Sequence, residues 1–142
     1  ETEHSNPGPT LEALDAFRFI DTSDIKAQIN KAVAFLLWHW DEKKPIGPCH
    51  FGMGTLFNKT EFPFFRYNLF YYIYVLSFYE SAVSDNRFME AYKLLESKME
   101  NNKIVVENPN RQLMDMDFCL KGHSSDPASK RFNELIKNMN SR

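Results

Sequence analysis

The chain has 142 residues, 43% of them hydrophobic, which is one domain's worth of sequence with enough apolar material for a single core. Seventeen basic against nineteen acidic residues leave a net charge of -2, and no basic stripe is interleaved with aromatics, so nucleic-acid binding has no electrostatic support. Two cysteines, Cys49 and Cys119, are too few for a disulfide framework and no apolar stretch follows a basic start, which points to a cytoplasmic setting and makes the Asn58-Lys59-Thr60 sequon accidental.

Residues 1–9 are polar and proline-containing and read as a flexible leader; because the chain opens on Glu1 and not on methionine, it also reads as a processed product or a fragment of something longer. Thr10 stands as N-cap before Leu11, Leu14 and Phe17, predicting a short helix to about Ile20. Asp21-Thr22-Ser23-Asp24 breaks it. From Asp24 the apolar positions Ile25, Ile29, Ala32, Val33, Leu36, Leu37 and Trp40 fall on one face of a second, amphipathic helix. Residues 41–62 carry Pro45, Gly47, Pro48, Gly52 and Gly54 and predict an irregular connection.

Residues 62–84 hold ten of the chain's 21 aromatic side chains. The uncharged part, residues 67–79 between Arg66 and Glu80, is too short for a bilayer span, which needs about 20 apolar residues. A core helix opened by Pro63 is the expectation, and because it is apolar on almost every face, other elements must surround it. After a break at residues 84–86, Phe88, Ala91, Tyr92, Leu95 and Met99 predict a fourth helix to about Asn101. A second long connection, residues 102–125, contains the β-branched run Ile104-Val105-Val106, which suits a short strand, or a helical turn near Leu113. Asp126 as N-cap and Pro127 at the first helical position then open a fifth helix carrying Phe132, Leu135, Ile136 and Met139.

The order repeats: an amphipathic helix from Asp24 and a proline-opened helix at Pro63, then the same from Asp85 and Pro127, at a period of 61 to 64 residues. Each long loop carries one cysteine with a glycine three residues on, Gly52 and Gly122. The expected architecture is therefore all-α, about five helices in a helix-pair repeat within one domain spanning residues 1–142.

The Ala-x-x-Phe-Leu-Leu-x-His-Trp stretch at residues 32–40, the glycine-rich loop at 48–54, the aromatic helix and Asp117-Phe118-Cys119-x-x-Gly122 together resemble the prenyltransferase and squalene-cyclase repeat family. That resemblance implies an open arc of an α/α toroid, with the aromatic helix lining the inside. The triterpene-cyclase members' Asp-x-Asp-Asp acid has its nearest match in Asp115-Met116-Asp117-Phe118, which lacks the last carboxylate. The protein prenyltransferases' zinc pair matches Asp117 and Cys119, with His123 or His50 in place of the family's distant histidine, and Cys49 if the loops converge. Against this stands the plain reading of both cysteines as small buried hydrophobes. Cys49 with His50, or Cys119 with His123, as a nucleophile pair has nothing to orient its imidazole.

His39, between two tryptophans, reads as a helix-end cap in its positive form. Arg66 reads as a rim residue stacked on a ring or paired with an acid, with a ligand's phosphate as the alternative partner. Gly52-Met53-Gly54 lacks the third glycine of a dinucleotide loop and reads as a turn. Phe64, Phe65, Tyr67, Phe70, Tyr71, Tyr74 and Phe78 read either as core or as an apolar pocket or interface. With no complete acid, base, nucleophile or metal set, the chain reads as a non-catalytic binding or scaffold module that takes an apolar ligand or associates with itself to cover its aromatic helix. The alternative is a zinc-dependent prenyltransferase-like or cyclase-like subunit completed by further repeats, with Asp117, Cys119 and His123 on the metal.

Overall fold

A computed structural model of the chain describes residues 5–141. The fold is all-α, and among the described residues β structure is limited to isolated bridges. In chain order the helices are α1 (Pro7–Phe17), α2 (Lys26–Glu42), α3 (Thr55–Asn58), α4 (Leu69–Leu76), α5 (Glu80–Val83), α6 (Asn86–Glu96) and α7 (Asp126–Asn140).

α4 is the axis of the molecule. All eight of its residues are buried, and α1, α6 and α7 pack on it, while α2 packs on α1, α5 and α6. An element with no polar face forms only when every side is covered, and here one chain supplies the cover. The residues of α4 are thus buried within the single chain, although Phe65 just before it stays exposed.

Several boundaries differ from the sequence expectation, each for a local reason. The helix expected at Pro63 begins at Leu69. The Phe62-Pro63 peptide is cis, residues 62–66 are irregular, and buried Asn68 is the N-cap, accepting from the Tyr71 N–H at 3.1 Å and donating to the Arg66 carbonyl at 2.7 Å. It ends after Leu76, where the Ser77 hydroxyl donates to the Tyr74 carbonyl at 2.6 Å and accepts from Asn138 on α7 at 3.0 Å. Thr10 lies inside α1, which starts at Pro7 with Asn6 as cap residue, so residues 5–9 of the expected leader are ordered and residues 1–4 lie outside the described residues. α6 stops at Glu96, short of Asn101, and the chain turns through left-handed Asn101 and Asn102. Ser125, not Asp126, caps α7, its Oγ accepting from the Ala128 N–H, while Asp126 pairs with Lys103 at 2.9 Å.

The two long connections are tied down from within. In residues 43–58, Ile46 and Phe51 form an antiparallel bridge around a turn with Gly47 in the left-handed region, and Met53 and Phe57 drop into the core. In residues 97–125, Val105 forms an isolated bridge with Ser124, which falls short of the strand that the β-branched run suggested, and residues 117–119 form a single 3-10 turn. Gly8 at the start of α1 lies so close to the first loop that a Cβ there would stand 2.6 Å from the Phe51 ring. Asn6, Gly8 and the first loop pack as one unit with α1.

Candidate functional site

The tyrosines of the aromatic segment spend their hydroxyls on three other helices, α1, α2 and α7. Tyr71 donates to Asp15 on α1 at 2.9 Å, Tyr72 to the Leu36 carbonyl in α2 at 2.8 Å, Tyr74 to Glu134 on α7 at 2.9 Å, and Tyr79 to the Leu14 carbonyl. Burial is the largest cause in raising each of these phenols above the usual value. The rings fill the core and the hydroxyls staple it to its neighbours, which is what a buried tyrosine requires.

Tyr67 completes the set with fully buried His39. The His39 Nε2 stands 2.9 Å from the Lys44 carbonyl and Nδ1 stands 2.9 Å from the Tyr67 hydroxyl. Burial first of all holds His39 below the usual imidazole value, so the ring is neutral at pH ~7 and the expected positive cap is corrected. A carbonyl only accepts, so the single proton sits on Nε2 and Nδ1 accepts from Tyr67. The His39 ring stacks on Tyr67 at 5.7 Å, and burial pushes the Tyr67 phenol well up.

A second polar knot joins the two long connections. The Glu107 carboxylate accepts from the Thr60 N–H and hydroxyl at 3.0 Å each and from Lys98 at 2.9 Å, while the Thr60 carbonyl accepts from the N–H groups of Glu107 and Asn108. Burial by itself raises the Glu107 carboxyl, but the bonds from Thr60 and Lys98 outweigh it and leave it below the usual range. Beside it, buried Glu61 takes the Arg66 guanidinium and backbone N–H and the Asn108 amide. Arg66 is therefore the rim ion pair the sequence predicts.

The zinc candidates do not converge. Asp117 and His123 are exposed, Cys119 is fully buried with its thiol donating to the Leu113 carbonyl at 2.7 Å, and among the described residues no three His, Cys, Asp or Glu side chains group as a metal site. Burial raises the Cys119 thiol, which suits an inert core cysteine. Cys49 and His50 sit exposed at the tip of the first hairpin.

Of the pocket candidates, Tyr67, Phe70, Tyr71 and Tyr74 are buried, Phe64 is half-buried within the ring cluster, and Phe65 is exposed on the outside. Phe78 alone among them borders a groove of about 750 Å³. This groove lies between the α1–α2 connection and α5, with Phe17, Ile29, Phe78 and Tyr79 as its apolar lining and Arg18, Lys26, Asp21 and Glu80 as its charges. Ile20 at its edge is 60% exposed and its neighbour Phe19 is 72% exposed. Sequence reading overlooks this place because residues 18–23 look like a plain helix break; the signal available was Phe19-Ile20, an apolar pair immediately before a polar turn.

No family model, curated protein or solved structure matches this chain. Among the described residues no helix is long and apolar enough to cross a membrane.

Proposed function

We propose that the chain is a non-catalytic binding module that takes an apolar molecule in the groove between the α1–α2 connection and α5. The observation that carries this reading is the contrast between Ile20, large and exposed at the groove with exposed Phe19 next to it in sequence, and the aromatic segment, whose tyrosine hydroxyls are all used internally. α4 is then the scaffold and the groove the binding face.

The same reading takes the architecture as an arc of two helix pairs of the toroid kind. Its support is the neighbour pattern: α2 lies on α6 and α4 on α7, as like-placed members of successive pairs do, with α1 covering α4 where a further inner helix would stand. Trp40 to Glu90 at 3.1 Å and Asp41 to Arg87 at 3.2 Å tie α2 to α6.

Titration with the neutral dye Nile red tests the proposal. One dye per chain with wild-type protein, weakened about tenfold by Ile20→Asp through loss of apolar contact and burial of a charge, is the expected result. No binding, or binding indifferent to Ile20→Asp and Phe78→Ala, would refute it.

A further inference from the structure

We infer that the ligand of this groove carries a carboxylate and that Arg18 receives it, an assignment that rests on the groove being the binding face. Arg18 lies at the end of α1 and lines the groove with a side chain that is 18% exposed. Its Nε donates to the Asp15 carboxylate at 2.6 Å, and Asp15 is itself held by the Tyr71 hydroxyl at 2.9 Å. The guanidinium carbon stands 4.2 Å from the Phe19 ring centroid, 4.3 Å from that of Phe78 and 5.4 Å from that of Tyr74.

An arginine that served Asp15 alone would turn its fork and give the carboxylate paired N–H bonds, the strongest geometry available to it. Here only Nε is used, and the terminal amino groups have no acceptor among the described residues. The rings and the anchored Asp15 fix the guanidinium plane in advance, so little rotamer entropy is lost when those amino groups are engaged. Their spacing matches the oxygens of a planar carboxylate.

The surroundings complete a head-and-tail site. Thr22 and Ser81 line the same groove, and neither hydroxyl has a partner among the described residues. Lys26 adds a cation with no ion pair there, whereas Asp21 and Glu80 add negative charge. With Asp15 already on Arg18, two cations stand against three carboxylates, a balance that penalises a dianionic phosphate more than a monoanion. Phe17, Ile29 and Phe78 supply the apolar wall for the tail.

Isothermal titration with octanoate, octanol and octyl phosphate decides the matter. Wild-type protein is expected to bind octanoate about tenfold or more tighter than octanol, with the advantage lost in Arg18→Gln and only partly restored in Arg18→Lys, which keeps the charge without the fork. Glu80→Gln, which leaves Arg18 untouched, is expected to tighten octanoate and not octanol, so the assignment stays open to refutation even if Arg18→Gln unfolds. Equal binding of octanoate and octanol would overturn the carboxylate and leave the groove standing. Tighter binding of octyl phosphate would overturn the monoanion, and binding of none of the three would overturn both.

Discussion

Acid should destabilise this protein through one histidine, well before its carboxylates titrate. His39 is fully buried, donates from Nε2 to the Lys44 carbonyl and accepts at Nδ1 from Tyr67, and has Lys43 and Glu42 as the nearest charges acting on it. A second proton would have to sit on Nδ1, where the Tyr67 hydroxyl now donates, so the phenol would have to reverse within a buried site. The folded value lies below the unfolded one, so the unfolded chain takes up the proton first and stability falls as pH drops below about 6.5. The slope approaches ~1.4 kcal/mol per pH unit, which gives a ceiling of about 2 kcal/mol by pH ~5. Against the ~5–15 kcal/mol typical of a domain, that is readily measured by urea unfolding at pH ~7.5, ~6 and ~5. The depressed carboxyls of Asp85, Glu107 and Asp126 also lose their contribution as pH falls, but that loss is centred on the unfolded carboxylate range near pH ~4. His39→Gln, less stable at neutral pH, should have a flatter profile between pH ~7.5 and ~5. Equal slopes in variant and wild type would refute the neutral, buried assignment.

The hydroxyl staples should be unequal in strength. Tyr67→Phe strands the buried His39 Nδ1 and should cost about 2–3 kcal/mol, whereas Tyr72→Phe only frees a carbonyl within α2 and should cost about 1 kcal/mol, both read from urea midpoints. Glu107→Ala removes the acceptor of the Thr60 N–H, the Thr60 hydroxyl and Lys98 together, and a loss of about 2–3 kcal/mol is expected; a change below ~1 kcal/mol would mean that the two connections are not clamped there. At high pH the sign reverses. Tyr67, Tyr71, Tyr72 and Tyr74 hold their protons more tightly when folded and Tyr92 is pushed up to about 12, so stability is full below the unfolded value near ~10 and is lost above it; ultraviolet titration should show most tyrosinate appearing only as the chain unfolds.

Helix class and the positions of α2, α6 and α7 were legible in the sequence because they depend on neighbours three or four residues away: the apolar stripe from Ile29 to Trp40, the one from Phe88 to Leu95, and Pro127 within the first turn of its helix. The composition of residues 67–79 likewise required a buried helix with cover on every side. The extent of that helix was not legible. Pro63 at its expected start is as compatible with an irregular turn as with a first helical residue, and what fixes the start is Asn68 bonding at once to Arg66 and Tyr71, just as Ser77 and Asn138 meet at the end. Nor could the sequence say which tyrosines were pocket and which core. Their partners lie 28 residues away for Tyr67 and 65 for Tyr79, and a pairing across that distance is set by how the helices dock, not by any local period. The groove is the same kind of fact: Arg18, Phe78 and Ser81 share it only because α1 turns into α2 beside α5, so the tertiary structure alone converts a helix break into a candidate binding face.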